Sequence, residues 1–250
     1  MQRMARVFAL DGRLGRVGDL VFPPVCLGCG GLVEDNTPCR HVCAACLPLI
    51  ARVAPPCCAV CGHPFFGEVE GERICPHCAD LRPHFGSGCT AVLLRGPARA
   101  MVIELKYHHG LHVLNDIETI VRGSPHFLNH LKDAVLVPVP LHPRKERERG
   151  YNQSQLLAES FARAAGGQTR VTCLLKREVD TLTQTAFDRR SRRENLKNAF
   201  ALAPGSRILT DQHYILVDDV FTTGSTLNSC ASVLRDAGVV RLDVATFGHG

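Results

Sequence analysis

Eight cysteines in four Cys-x-x-Cys pairs constrain the fold of this chain more than any other feature. The pairs are Cys26/Cys29, Cys43/Cys46, Cys58/Cys61 and Cys75/Cys78. Thirteen residues separate the two pairs of each unit, and the first unit recurs 32 residues later. Self-similarity at a fixed spacing is typical of a duplicated supersecondary unit. The sequence therefore predicts two copies of one small cysteine-rich fold.

The four thiolates of each unit match the ligand number of a tetrahedral structural Zn²⁺. The two-residue spacing lets both sulfurs of a pair reach one ion, and Gly30 and Gly62 suit the tight turn that follows the first pair. Disulfides compete with this interpretation, but nothing in the sequence indicates secretion. We therefore predict two structural zinc sites, with ligands taken sequentially within each unit or exchanged between the units. His63 and His77 are less favoured substitute ligands.

The uneven distribution of cysteine also divides the chain. Ten of the thirteen cysteines lie between Cys26 and Cys78. We predict an N-terminal helix or arm at residues 1–22, a double zinc ribbon at residues 23–85 and a second domain at residues 88–250. A ribbon of this size has little apolar core, so metal binding supplies most of its folding free energy, about 10–16 kcal/mol per site.

Composition limits the class of protein. A chain of 250 residues with 45% hydrophobic content can bury a sizeable core. A net charge of +5 permits phosphate-bearing partners without requiring them. No apolar run is long enough to span a membrane, and no signal-peptide pattern is present. We expect a soluble cytoplasmic protein.

Apolar runs alternate with helix-like segments in the second domain. Strands are predicted at residues 90–94, 133–140, 171–175, 199–202, 213–220 and 239–247, and helices at 98–108, 154–167 and 225–238. This alternation favours an α/β fold with a mostly parallel sheet flanked by helices. Ligands of such folds bind at the carboxyl ends of the strands.

The stretch "YILVDDVFTTGST" at residues 214–226 predicts a ligand site of this kind. Asp218 and Asp219 follow a buried strand, and the residues after them turn into a helix. The turn consists of Thr222, Thr223, Gly224, Ser225 and Thr226. Backbone N–H groups, hydroxyls and a helix N-terminus together favour an anion, and the signature of a di- or triphosphate loop is missing. A monophosphate in the turn and a diol on the carboxylates together indicate a ribose 5-phosphate.

The same stretch resembles the 5-phosphoribosyl-1-pyrophosphate (PRPP) motif of type I phosphoribosyltransferases, with Phe221 where a smaller aliphatic residue is usual. A receiver domain is the disfavoured alternative, because it needs a phosphorylatable Asp and a Lys much further downstream. The resemblance implies that Asp218 and Asp219 hold the ribose, that residues 222–226 hold the 5-phosphate, and that Mg²⁺ arrives with PRPP.

Two basic segments are candidates for holding the pyrophosphate. The segment "LHPRKERERGYNQ" follows a predicted strand, and we interpret it as a loop; a solvated charged surface is the alternative. Its cations are Arg144, Lys145, Arg147 and Arg149. The segment "TQTAFDRRSRRENLKNAF" is a candidate lid that excludes water from bound PRPP. Its cations include Arg189, Arg190 and Arg193.

The whole arrangement is similar to the ComF family of competence proteins. A double zinc ribbon is followed by "LKYHHG", "VPVPLHPRKERERGYNQS", "RRSRRENLKNAF" and "ILVDDVFTTGSTL" in that order, so the resemblance covers about residues 20–247. It implies a cytoplasmic protein of natural transformation that binds PRPP and handles single-stranded DNA with the uptake or recombination machinery. It also implies pentosyl transfer with release of pyrophosphate, and it places Lys106 at the site.

Several alternatives stay open at this point. A non-catalytic DNA-binding adaptor or PRPP sensor competes with the transferase. Nothing identifies an acceptor base, and a base-binding hood would have to come from the ribbons or from residues 108–130. We expect surface positions rather than a third metal site for His108, His109, His112, His126 and His130. We expect core positions for Cys89, Cys173 and Cys230.

Overall fold

The computed structural model describes residues 23–67, 71, 73–178 and 199–250. A five-stranded sheet forms the centre of this part of the chain. Its strands are β1 (Gly88–Leu93), β2 (Val135–Pro138), β3 (Arg170–Val171), β6 (His213–Phe221) and β7 (Arg241–His249). Their order in the sheet is β1-β7-β6-β2-β3, and every neighbouring pair is parallel. The remaining strands, β4 (Leu175–Arg177) and β5 (Phe200–Leu202), form a separate antiparallel pair. The predicted α/β class with a mostly parallel sheet is confirmed.

Helices cover the sheet. They are α1 (Gly96–Tyr107), α2 (Val113–Arg122), α3 (Pro125–Leu131), α4 (Pro143–Arg149), α5 (Gln153–Ala165) and α6 (Ser225–Asp236). Short 3₁₀ turns occupy Leu47–Leu49 and Pro76–Cys78 of the cysteine-rich segment. Within the described residues, none of the helices is both long enough and apolar enough to cross a membrane.

The central strand β6 contributes side chains to two apolar clusters, one on each face of the sheet. Ile215 and Val217 are buried with helices α1, α2, α3 and α5. Tyr214 and Leu216 are buried on the other face with α6, the β4–β5 pair and the second cysteine unit. Successive side chains of a strand point to opposite faces, so an unbroken apolar run is what a strand covered on both faces requires.

The cysteine-rich segment is joined to the sheet along β1. The backbone N–H of Val53 donates to Ala91 O at 2.9 Å, and that of Leu93 donates to Ala51 O at 2.9 Å. Near the start of β1, the N–H of Gly88 donates to Ala59 O at 3.0 Å. These bonds cover an edge of the sheet that would otherwise present unpaired backbone groups.

Residues 108–130, one of the predicted sources of a base-binding hood, contribute helices α2 and α3. Four apolar side chains of α2 recur at helical spacing and are fully buried. They are Val113, Ile117, Ile120 and Val121. These side chains form part of the core.

Two sequence-based interpretations of local structure are wrong. The charged segment interpreted as a loop is helix α4, which begins at Pro143 and is followed by Gly150 with a φ of 80°. The predicted strand at 171–175 is divided, because the chain leaves the sheet after Val171 and enters β4 at Leu175. Cys173 lies between these strands and is exposed, so its predicted core position is also wrong.

Candidate functional site

The eight cysteines of the four pairs form two groups of four sulfurs. Within each group the sulfur atoms lie within 4.8 Å of one another. The groups are Cys26, Cys29, Cys43 and Cys46, and Cys58, Cys61, Cys75 and Cys78. The sulfurs of Cys29 and Cys43 are 3.7 Å apart, and those of Cys61 and Cys75 are 3.6 Å apart. A tetrahedron with Zn–S bonds of about 2.3 Å has edges of about 3.8 Å. Two structural zinc ions fit these sites, and the ligands are sequential within each unit.

Backbone N–H groups point at the sulfurs in corresponding ways in both units. The N–H of Cys43 lies 3.4 Å from the sulfur of Cys26, and the N–H of Cys75 lies 3.2 Å from the sulfur of Cys58. Donors aimed at a sulfur stabilise its thiolate form, which is the form that binds metal. The second coordination sphere is therefore repeated along with the ligands.

A cavity of about 210 Å³ lies at the carboxyl end of β6. Its lining residues are Lys106, Asp218, Asp219, Val220, Thr222, Thr223, Gly224, Ser225, Thr226 and Leu227. The structure thus brings together both predicted acids and all five residues of the predicted phosphate turn. Lys106, from the distant helix α1, joins them.

Asp219 and Lys106 form an ion pair inside the cavity. The Nζ atom of Lys106 lies 2.9 Å from Oδ2 of Asp219, whose side chain is only 6% exposed. A carboxylate at this depth is costly unless a cation accompanies it. Lys106 supplies that cation from the last turn of α1.

Asp218 has a different environment from its neighbour. It accepts hydrogen bonds from the Ser154 hydroxyl at 2.8 Å and from the backbone N–H of Asp219 at 2.9 Å. Burial and the adjacent charge of Asp219 raise the pKa of Asp218 to about 7, although these hydrogen bonds and Lys106 oppose the shift. The acid pair therefore has one member that titrates near neutral pH.

The turn after the acids depends on glycine. Gly224 has a φ of 69° and precedes the first residue of α6. A Cβ at this position would lie 2.7 Å from the ring of Phe221 and 3.0 Å from Leu81 Cδ2. The hydroxyls of Thr223 and Ser225 lie 2.9 Å apart at the start of the helix, and the Ser225 N–H donates to Thr223 Oγ1 at 3.4 Å. Such a turn presents several donors to an anion.

The predicted pyrophosphate residues lie elsewhere or outside the described chain. Arg144, Lys145, Arg147 and Arg149 belong to α4, and none of them lines the cavity. Arg189, Arg190 and Arg193 fall within residues 179–198, which lie outside the described residues. The predicted arm at residues 1–22 also lies outside the described residues.

Three further residues, not among the predicted site residues, connect the segments that carry the site. The Tyr151 hydroxyl donates to Leu105 O at 2.6 Å and so ties the segment after α4 to the end of α1. The Asn152 side chain donates to Val139 O at 3.0 Å and accepts from the Ser154 N–H at 3.0 Å, which caps α5. The Ser154 hydroxyl then reaches Asp218. Asparagine before a helical pattern is a capping signal in the sequence, but the bond from Ser154 to Asp218 has no local signal.

The predicted surface positions are confirmed for His108, His109 and His112, which are exposed, but not for His126 and His130. His108 contacts Glu104 at 2.8 Å, and His130 lies 3.1 Å from Val244 O. His130 and His126 are partly buried rather than on the surface, and burial lowers the pKa of both. In the described part of the chain, the groups that could hold a metal consist of cysteines alone.

Comparison with known proteins finds one matching family model and several relatives. A family model described as a double zinc ribbon domain matches residues 17–79. Competence protein F of Haemophilus influenzae is 40% identical over 109 residues, which cover 44% of this chain and 47% of that protein. DNA utilization protein YhgH of Escherichia coli K12 is 37% identical over 109 residues, covering 44% of this chain and 46% of that protein. Competence protein ComFC of Bacillus subtilis is 31% identical over 107 residues, covering 43% of this chain and 40% of that protein.

The matched stretch spans less than half the length of each of these curated relatives. The resemblance predicted from the sequence motifs is confirmed: this chain carries a double zinc ribbon and is related in sequence to competence protein F, DNA utilization protein YhgH and ComFC.

Proposed function

We propose that this protein binds PRPP in the cavity at the end of β6 and acts in DNA uptake as a phosphoribosyltransferase-type protein. The observation that carries the proposal is the convergence of the Asp218–Asp219 pair, Lys106 and the turn at 222–226 in one cavity. The turn offers donors to a phosphate, and the acids offer acceptors to a diol.

In this assignment, the 5-phosphate binds the N–H groups and hydroxyls between Thr222 and Thr226. The ribose hydroxyls donate to the carboxylates of Asp218 and Asp219, and Ser154 and Lys106 hold these carboxylates in place. Sugar and phosphate are thereby fixed before any bond breaks, which is the main contribution that positioning makes to such reactions.

Transfer from PRPP breaks the bond between C1 of the ribose and the pyrophosphate oxygen through an oxocarbenium-like state, and C1 forms a new bond to the nucleophilic atom of the acceptor. Mg²⁺ that arrives with PRPP would neutralise part of the charge that grows on the leaving pyrophosphate. Lys106, already in the cavity, adds a fixed positive charge. We assign the pyrophosphate also to α4, because β2 and β6 pair in parallel and their carboxyl ends meet at the same edge of the sheet. The cations there are Arg144, Lys145, Arg147 and Arg149.

The names of the relatives support the biological part of the proposal. Two of them are called competence proteins and one a DNA utilization protein. We infer that this protein also handles single-stranded DNA during uptake, together with proteins of the uptake or recombination machinery. Its net charge of +5 suits a nucleic-acid partner.

A non-catalytic DNA-binding adaptor or PRPP sensor is the second candidate. The observation that favours it is the position of the α4 cations outside the cavity, where Arg144 and Arg147 are exposed. Exposed cations at successive turns suit a phosphate backbone as well as a pyrophosphate.

Calorimetric titration of the zinc-loaded protein with Mg-PRPP tests the first candidate. We expect saturable binding to the wild type and to Asp211→Asn, an exposed acid outside the cavity. We expect no binding to the double variant Asp218→Asn/Asp219→Asn. Absence of binding to the folded wild type would overturn both the transferase and the sensor. Binding without pyrophosphate release, when bases and single-stranded DNA are offered, would favour the sensor over the transferase.

A further inference from the structure

Tyr107 is an exposed aromatic residue next to Lys106 in the chain. Its side chain is 68% exposed, although it directly follows Lys106, which lines the cavity. Consecutive residues of a helix point in directions about 100° apart. Lys106 therefore reaches Asp219 while the ring of Tyr107 faces solvent.

Arg149 holds its guanidinium over this ring. The Cζ atom of Arg149 lies 6.0 Å from the centroid of Tyr107, and an Nη1–H of Arg149 donates to the side-chain oxygen of Gln153. The hydrogen bond to Gln153 fixes the plane of the guanidinium. A planar cation and an aromatic face are thus adjacent and partly open to solvent.

The same segment that holds this pair also contacts an acid of the cavity. Gln153, the partner of Arg149, is followed by Ser154, whose hydroxyl is bonded to Asp218. Tyr151, two residues after Arg149, is bonded to Leu105 O, two residues before Tyr107. The end of α1 and residues 149–154 therefore form one seam, in which Lys106 lines the cavity, Ser154 supports Asp218, Tyr107 is exposed and Arg149 is partly open to solvent.

The chain turns sharply after Tyr107 and leaves most of its side chain open to solvent. His109 has a φ of 55°, in the left-handed region that residues other than glycine rarely adopt. Its Nδ1 atom lies 3.1 Å from Arg149 O, and its ring meets Tyr151 edge-on at 6.2 Å. Left-handed backbone at a non-glycine residue persists only where surrounding contacts enforce it. Here those contacts belong to the seam itself.

We propose that Tyr107 and Arg149 form a stacking platform for a nucleobase next to the ribose phosphate site. An exposed aromatic ring beside an arginine plane is the arrangement with which proteins bind unstacked bases. The proposal rests on the proposed function for the role of the base as acceptor, but base stacking itself can be measured without PRPP. The ligand class is a nucleobase, either free or in single-stranded DNA.

Binding of single strands to four proteins tests the platform. The proteins are the wild type, Tyr107→Phe, Tyr107→Ala and Phe66→Ala; Phe66 is an 86% exposed aromatic residue of the ribbon and serves as the matched control. The probe is oligothymidylate about 12 nucleotides long, beside an abasic strand with the same number of phosphates. We expect roughly tenfold weaker oligothymidylate binding for Tyr107→Ala only. Equal affinity of the wild type and Tyr107→Ala, or of the abasic strand and oligothymidylate, would overturn stacking on DNA bases.

A fluorescent variant separates the two sources of the base. The chain contains no tryptophan, so Tyr107→Trp introduces a single reporter. A base that stacks on this indole quenches its fluorescence. Quenching by oligothymidylate but not by free adenine, guanine or uracil identifies single-stranded DNA as the source, and the reverse identifies a free base. Quenching by neither would overturn the platform. Failure of PRPP to bind the wild type in calorimetry would overturn the proposed function alone, so the two failures are distinguishable.

Discussion

The two zinc-ribbon units have the same cysteine spacing and the same sulfur geometry, but they pack against different parts of the molecule. The first unit contacts the helical layer, where Asp116 of α2 accepts the backbone N–H groups of Arg40 and His41 at 2.7 and 2.8 Å. The second unit contacts the sheet and the start of α6. The Thr90 hydroxyl donates to Cys61 O at 2.9 Å, and Leu81 lies against Gly224 of the turn at 222–226.

Residues just after the second unit extend this contact along α6. Asn228 accepts the His84 N–H at 2.7 Å and donates to Arg82 O at 3.1 Å. Arg235 donates to His84 O at 2.7 Å. The metal sites are thus duplicated while their surroundings have diverged. The first unit is a structural support of the helices, and the second borders the cavity assigned to PRPP.

Removal of zinc ligands should give the largest difference between the two units. We expect Cys58→Ser/Cys61→Ser to abolish PRPP binding, because loss of a zinc site removes on the order of 10 kcal/mol of folding free energy beside the phosphate turn. We expect Cys26→Ser/Cys29→Ser to unfold the first unit and leave PRPP binding measurable. Zinc content, PRPP calorimetry and hydrogen exchange of residues 222–228 check both outcomes. Equal loss of PRPP binding in the two variants would show that the units do not differ in this role.

Two acids, the partly buried Asp218 and the fully buried Asp116, give a second contrast. Asp218, at the cavity, has a pKa of about 7 instead of the usual 3.8. Between these values the folded state keeps a proton that the unfolded state has lost, so the wild type loses stability as the pH rises from about 4 to 7. We expect Asp218→Asn to be more stable than the wild type by about 4 kcal/mol above pH 7 and similar to it near pH 4. Urea unfolding at several pH values measures the difference in the free energy of unfolding between the two proteins. A difference that does not change with pH would contradict the prediction.

At Asp116, beside the first unit, substitution by asparagine should lower the stability of the protein instead of raising it. It is 2% exposed, and besides the two backbone donors it contacts Nδ1 of His41 at 3.0 Å. An asparagine would turn a donor toward these donors, so we expect Asp116→Asn to lower the free energy of unfolding by about 2 kcal/mol. Asp35→Asn, an exposed acid of the same unit, is the control and should change it little. Urea unfolding and PRPP calorimetry measure both variants, and we expect PRPP affinity to be retained. A large loss of PRPP affinity in Asp116→Asn would assign the first unit to the site as well.

The sequence predicts the features that depend on residues close together in the chain. These features are the cysteine spacing, the apolar run of β6 and the turn at Gly224. The same holds for the alternation that indicates a parallel sheet. These features fixed the position of the zinc sites and of the cavity residues between 218 and 226.

The remaining features depend on contacts between distant segments or on competing local signals. Ser154 and Asp218 are 64 residues apart, and their contact follows from the placement of β2 beside β6. Helix α4 was interpreted as a loop because its charges dominate the pattern, although Pro143 and Gly150 are typical helix boundaries. Cys173 has apolar neighbours in the sequence, but the chain leaves the sheet just before it.

Asn228 offers the mildest test of the difference between the units. Its two bonds to Arg82 and His84 join the chain after the second zinc site to the first turn of α6. We expect Asn228→Ala to lower the free energy of unfolding by about 1 kcal/mol. We also expect a severalfold loss of PRPP affinity, because the start of α6 carries the N–H groups to which we assign the 5-phosphate. Asn129→Ala, an exposed amide on α3, is the matched control and should change neither quantity. Calorimetry and urea unfolding measure both variants. A loss of stability with unchanged PRPP affinity would mean that the second unit supports α6 as passively as the first unit supports α2.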